Sequence, residues 1–282
     1  MRVTDRTVEW WLREDVGHRD VTNHVPGQTT GRLVAKESGV AAGLDAAKAV
    51  FDYLDVETEE TVEAGERVEA GDMLLEVEGA AESVLRGERV AVNVAGHASG
   101  VATKTRRAVE AAREATREVS NEIDRGASDE VAIAGTRKTT PGLRGVEKRA
   151  IAAGGGDTHR LTLSGMVMVK DNHVAEMGLE EAIRHFREEK SFATKIEVEV
   201  ERPADAPRAA DAGADIVLLD NMTPAEVREG VEMLPDDVLA EASGGIGIPD
   251  VPEYATTGVD VISMGSLTHS ANSMDLSFRT GE

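Results

Sequence analysis

The chain contains no cysteine among its 282 residues. Disulfides, thiolate metal sites and a cysteine nucleophile are thereby excluded. Any metal must sit on oxygen or imidazole, a donor set that favours magnesium or a similar hard ion. Aromatic residues are scarce at 3%, so a core drawn from the 40% of hydrophobic residues must be built from Ala, Val, Leu, Ile and Met. No apolar run is long enough to cross a bilayer. The opening MRVTDRTVEW carries no apolar signal core after its charges. A cytoplasmic protein that engages no membrane is the expectation.

Positive charge is also in short supply. Fifty-three acidic residues face 31 basic ones, a net charge of -22, and only eight of the basic residues are lysine. Such a surface repels nucleic acid and anionic membranes. Acid excess with few lysines suggests adaptation to high salt, where screening tolerates self-repulsion. Against that background, the basic residues between 136 and 173 stand out, because they cluster beside Gly, His and Thr.

The first hundred residues differ in texture from the rest. Residues from Thr4 to Leu12 read as a short helix carrying Trp10 and Trp11. Residues 31–43 alternate and carry glycines, as strands with turns do. Residues 62–78 repeat Val-x-x-Gly at short spacing, a pattern that resembles the β-hammerhead of lipoyl-type carriers. A carrier needs a lysine at the hairpin tip and this stretch has none, so a structural hairpin set is expected. From His97 to Val119 a long amphipathic helix is predicted, with Val101, Thr105, Ala108 and Ala112 at helical spacing.

Beyond that helix, short apolar runs alternate with helical stretches. The runs are 131–135, 166–170, 195–200, 215–220, 238–243 and 259–265. Repeated strand-helix units imply a parallel sheet with right-handed crossovers. Six units suggest a barrel with fewer strands than the usual eight. A doubly wound open sheet is the rival, weakened because no Gly-x-Gly-x-x-Gly follows the first run. The expected division is an N-terminal α/β domain over 1–100 and a barrel over 101–270, with the tail 271–282 free to pack on the first.

In parallel barrels the chemistry sits at the carboxyl ends of the strands. Here each candidate strand ends in a reactive or anion-binding group. In chain order these are Arg137 and Lys138, Lys170, the alternating Glu197, Glu199 and Glu201, Asp220, Ser243 with Gly244 and Gly245, and Gly265 followed by His269. Arg137, Lys138 and Lys170, with His159 and Arg160, make a cationic pocket suited to a small polyanion. Ser243, Gly244, Gly245 and Gly265 offer backbone N–H groups before helices, which suits a phosphate. Glu199 and Asp220 could bind a metal-pyrophosphate or ribose hydroxyls, or steady a developing positive charge. Glu197 and Glu201 also fit a solvated face of an edge strand, and His173 and His269 fit structural turns. The whole describes transfer of a ribosyl phosphate group to a carboxylated acceptor.

The block GTRKTTPGLRGVEKRAIAAGGGDTHRLTLSGMVMVKDNHV at 135–174 resembles the signature of the quinolinate phosphoribosyltransferases. So do IEVEVE at 196–201, LLDNM at 218–222, EASGGI at 241–246 and GVDVISMGSLTHS at 258–270. Upstream, EDVGHRDVT at 14–22, GERVAVN and SGVAT are similar to further family stretches. The resemblance implies an N-terminal α/β domain, hammerhead-like, joined to an incomplete six-stranded α/β barrel of the phosphoribosyltransferase type. It implies a dimer or larger homo-oligomer that joins quinolinate to phosphoribosyl pyrophosphate with magnesium, releasing pyrophosphate and carbon dioxide and forming nicotinate mononucleotide for NAD synthesis. It places Arg137, His159, Arg160 and Lys170 on the quinolinate carboxylates and Lys138 between the substrates. Arg89 would reach in from the partner subunit. Glu199 and Asp220 would face ribose and metal, directly or through the pyrophosphate. Ser243, Gly244, Gly245, Gly265 and His269 would hold phosphate. Arg19 and His97 depart from the family pattern, which usually has glycine and often arginine there.

Overall fold

A computed structural model describes residues 3–120 and 130–281. In chain order its first part comprises α1 (Asp5–Val16), β1 (Gln28–Ala35), β2 (Gly39–Val40), α2 (Leu44–Tyr53), β3 (Glu57–Glu60), β4 (Arg67–Val68), β5 (Met73–Ala80) and α3 (Ala81–Ser120). There follow β6 (Ala132–Ala134), α4 (Arg144–Ala153), β7 (Val167–Val169), α5 (Asp171–Met177), α6 (Leu179–Glu189), β8 (Ile196–Val200), α7 (Ala206–Ala212) and β9 (Ile216–Asp220). The last elements are α8 (Pro224–Glu232), β10 (Leu239–Ser243), α9 (Val251–Ala255), β11 (Val261–Ser263), α10 (Ser266–His269) and β12 (Leu276–Thr280). The chain forms two compact units, one of Met1–Arg106, Thr139–Gly155 and Leu267–Glu282, the other of Arg107–Lys138 and Gly156–Ser266.

In the first unit, the hydroxyl of Thr4 caps α1 by accepting from the Thr7 N–H at 3.4 Å, and Gly17 ends the helix at φ 63°. A four-stranded antiparallel sheet runs β12-β1-β5-β3, and β2 pairs with β4 beside it. The glycine-punctuated stretches thus form hairpin strands, and the C-terminal segment joins their sheet. Phe51, Leu33, Leu75, Ala98 and Leu276 lie in one apolar core. That core also takes Val146, Ala150 and Ile151 from α4, which lies between β6 and β7 in sequence.

Helix α3 begins at Ala81, sixteen residues before the start expected from its periodicity. Gly87, Gly96 and Gly100 interrupt the helical pattern, and glycine costs about 1 kcal/mol inside a helix. Their use is close approach. A Cβ on Gly100 would fall 1.9 Å from the Asn272 carbonyl oxygen, and one on Gly96 would fall 2.9 Å from that of Met274. The Met274 N–H donates to the Gly96 carbonyl at 2.9 Å. The bare helix face therefore seats the C-terminal segment.

The second unit holds a six-stranded parallel sheet, ordered β6-β11-β10-β9-β8-β7. All six apolar runs are its strands. The order is sequence order cut between β6 and β7, so the sheet is a barrel left open at that seam. A doubly wound sheet would reverse direction at a switch point instead. Ile196, Val198, Val217, Leu219, Ala240, Ala242 and Ile262 are buried between the strands and their helices. The edge of β6 is covered by Asp157, whose N–H donates to the Ile133 carbonyl at 2.8 Å and whose carbonyl accepts from Gly135 at 3.0 Å.

Candidate active site

Side chains alternate along a strand, so burial of Val198 and Val200 against the helices sends Glu197 and Glu199 to the opposite face. Register places Glu199, Leu218 and Glu241 side by side across β8, β9 and β10. That second face is polar, yet it is not solvated. Glu197 is 0% exposed and Glu241 2%. The reading of Glu197 as part of a solvated edge face therefore fails, because β8 is interior, flanked by β7 and β9.

What these two carboxylates face is His159. Its Nε2 lies 3.3 Å from an Oε2 of each. Neither oxygen of Glu197 nor Oε1 of Glu241 accepts a hydrogen bond from any described residue. The ligand atoms of the three side chains lie within 4.8 Å of one another. Burial alone drives the imidazole towards neutrality, but the facing carboxylates of Glu197 and Glu241 overcome it and raise the pKa from 6.5 to about 9. Burial, with the charge of Glu241, pushes the Glu197 carboxyl up. His159 adopts φ 50°, an uncommon conformation for a residue with a Cβ. Its N–H donates to the Asp157 carboxylate at 2.5 Å, and Asp157 is itself pinned to β6.

The cations predicted at the strand ends gather around this group. Lys170, at the end of β7, pairs with Glu199 of β8. Arg160 reaches Met168 Sδ at 2.7 Å. Burial lowers the Arg160 pKa, and Glu197, Arg137, Glu199 and Glu241 are all close enough for their charges to act on it. Half-buried Arg137 and exposed Lys138 follow β6, and the Lys138 N–H donates to Thr136 Oγ1 at 3.0 Å. At the end of β9, burial and then the charge of Glu199 raise the Asp220 pKa, against Lys170 and Lys138, which lower it. Arg137, Lys138, Arg160, Lys170, Glu199 and Asp220 thus share one electrostatic neighbourhood.

The phosphate candidates form the next corner. The Asn221 N–H donates to the Ser243 carbonyl at 2.9 Å. Gly244 has φ 102°, and a Cβ there would meet Asn221 Oδ1 at 2.4 Å and its backbone nitrogen at 2.5 Å. Gly245 is also left-handed, at φ 67°. The helices that follow are short. Five-residue α9 comes after a single 3-10 turn, and α10, directly after Gly265, has four residues. Backbone N–H groups of the corners, rather than a long helix dipole, are what this region offers an anion.

The first unit holds Arg89, His97 and His269. Arg89 is exposed on α3, with Glu88 at 3.7 Å. His269 is exposed and shares a hydrogen bond with Ser270 Oγ at 2.7 Å. His97 pairs through Nε2 with fully buried Glu147 at 2.9 Å, and the other Glu147 oxygen accepts the Thr140 N–H at 3.0 Å. The His97 departure is thus matched by a buried carboxylate that ties down the segment after Lys138. His173 lies in the second unit, in the first turn of α5 rather than in a loop turn, where its Nδ1 accepts from the Lys170 N–H at 3.0 Å and its ring meets Phe186 edge-on. Glu241 and Glu147 escaped sequence reading. Glu241 stands two residues before Ser243 on the same strand face, so strand parity was the signal that could have found it.

An open parallel α/β barrel with cations, carboxylates and glycine corners at its strand ends defines a class of group-transfer fold. Sequence models of the quinolinate phosphoribosyl transferase N-terminal and C-terminal domains match residues 19–99 and 101–279. The chain is 43% identical over 276 residues to the probable nicotinate-nucleotide pyrophosphorylase (carboxylating) of Methanothermobacter thermautotrophicus, covering 94% of this chain and 95% of that protein. It is 41% identical over 278 residues to the human nicotinate-nucleotide pyrophosphorylase (carboxylating), covering 96% and 90%. The crystal structure of NadC from Streptococcus pyogenes superposes with a TM-score of 0.87 at 37% identity, covering 100% of this chain and 99% of that one. The chain belongs to the quinolinate phosphoribosyltransferase family.

Proposed function

We propose that this chain transfers the phosphoribosyl group of phosphoribosyl pyrophosphate to quinolinate, with loss of carbon dioxide and pyrophosphate, to give nicotinate mononucleotide. The observation that carries the reading is the gathering of Arg137, Arg160 and Lys170 around the carboxylates at the strand ends in a protein of net charge -22. Family membership supplies the acceptor and donor.

In this reading Arg137, His159, Arg160 and Lys170 bind the two acceptor carboxylates, and Arg89 joins them from a second subunit of a homo-oligomer. Its exposure on α3 supports that role. Lys138 lies between the substrates. Ser243, Gly244, Gly245, Gly265 and His269 take phosphate oxygens. Two anions that repel in water are held in contact by neutralising both, which is positioning catalysis. The pyridine nitrogen forms a bond to ribose C1 as the C1–oxygen bond to pyrophosphate breaks. Glu199 and Asp220 stabilise the positive charge that builds on the sugar. The quaternised ring then accepts the electrons of the breaking C2–carboxylate bond, carbon dioxide leaves, and C2 takes up a proton.

Magnesium fits the same pair. Glu199 and Asp220 sit on adjoining strands, and burial with Glu199's charge disfavours the Asp220 anion, a state that a hard cation relieves. When bound, the ion would neutralise the leaving pyrophosphate. The acidic surface is read as an adaptation to high salt, and the cytoplasm as the place of action.

The deciding experiment offers phosphoribosyl pyrophosphate and magnesium with either quinolinate or nicotinate, at low and high salt. Carbon dioxide and nicotinate mononucleotide are expected from quinolinate alone. Turnover of nicotinate with no reaction of quinolinate would refute the assignment.

A further inference from the structure

His159 is held from three sides. Its backbone sits at φ 50°, its N–H is bound by Asp157 at 2.5 Å, and its Nε2 faces two buried carboxylates at 3.3 Å each. The carboxylates come from β8 and β10, the two strands flanking β9. Burying two carboxylates is costly unless each finds a donor or a counter-charge. The ring faces both at 3.3 Å, and Arg160 is close enough to feel both charges. The ring and the Arg160 guanidinium supply positive charge where the two carboxylates are buried.

We infer that Glu197 and Glu241 are positioning residues for the dicarboxylate acceptor: they hold the His159 ring by its Nε2 and leave Nδ1–H to meet a substrate carboxylate. The inference rests on the reading that His159 binds quinolinate. It goes further by assigning two buried residues that touch no substrate themselves. A histidine held on one nitrogen by carboxylates is kept protonated and fixed in orientation, so the N–H on the other nitrogen is a preset donor. The left-handed backbone, a conformation that costs energy and persists only where its surroundings enforce it, is consistent with an orientation selected for binding.

The test measures quinolinate affinity by titration calorimetry, and KM for each substrate, in His159→Ala, Glu197→Gln, Glu241→Gln and the His159→Ala/Glu241→Gln double variant. Each Gln variant is expected to weaken quinolinate by about 10- to 100-fold, the range for loss of a charge-assisted hydrogen bond, with KM for phosphoribosyl pyrophosphate nearly unchanged. In the His159→Ala background, Glu241→Gln should add little, because the group it orients is gone. A purely structural role would instead depress both substrates and add in full to His159→Ala. If Glu197→Gln does not fold, the Glu241 cycle decides. Wild-type quinolinate affinity in His159→Ala would bring down both the acceptor-pocket reading at this residue and the inference. Weakened affinity in His159→Ala with none in Glu241→Gln would bring down the inference alone. Stoichiometric metal in the purified enzyme, lost in His159→Ala, would also overturn it.

Discussion

At the scale of single residues, the environment rather than the residue type sets the chemistry. Glu197 and Glu199 lie two apart on one strand, yet Glu199 meets Lys170 while Glu197 meets a histidine under full burial. His159 carries a measurable consequence. Its folded pKa lies near 9, above the ordinary 6.5, because Glu197 and Glu241 outweigh burial, with Arg160 alongside. Stability from this group is therefore fully present below pH 6.5 and is lost as pH rises through about 9. The imidazole carbon and nitrogen resonances of His159 should report an imidazolium at pH 7.5. A ring already neutral at that pH would contradict the pairing.

At the scale of elements, the strand-end corners depend on backbone conformations that only glycine supplies cheaply. The turn after β10 presses Gly244 against Asn221, itself left-handed at φ 56°. Gly244→Ala should cost more than the roughly 1–2 kcal/mol of a left-handed alanine, since its Cβ would also meet the Asn221 nitrogen at 2.5 Å. A clear fall in the thermal midpoint is expected, together with a raised KM for phosphoribosyl pyrophosphate. Gly17→Ala serves as the control, because Gly17 also has a positive φ but nothing within 4 Å of an added Cβ. Its loss should be confined to the backbone cost, with donor KM unchanged. Equal effects of the two substitutions on donor KM would argue against a phosphate role for the corner.

For the molecule as a whole, the excess of 53 acidic over 31 basic residues is a standing self-repulsion. Its range shrinks from about 10 Å at 0.1 M salt to about 3 Å at 1 M. The unfolding midpoint should rise markedly from 0.1 to 2 M potassium chloride. A flat profile, with full stability in dilute buffer, would mark the protein as an ordinary acidic enzyme. The cationic pocket is a local exception within this field, so binding of the anionic substrates should be weakened less by salt than a surface-charge interaction would be, because buried pairs are screened less.

The sequence by itself determined the strands and the residue types that stand at their ends. Apolar runs of five to seven residues between helical stretches can form little but a parallel sheet, and each run ends in polar residues that a strand end exposes. Those are local properties, carried by neighbours in the chain. Tertiary structure alone decided which face of β8 was buried, and that Glu241, Glu197 and His159, spread over 83 positions from 159 to 241, meet at one point. The same alternation Glu-Val-Glu-Val describes a strand with a wet face and a strand with a polar interior. Only the partners brought by distant parts of the chain distinguish the two, because the burial of a carboxylate is tolerated where a cation from elsewhere in the fold arrives to meet it.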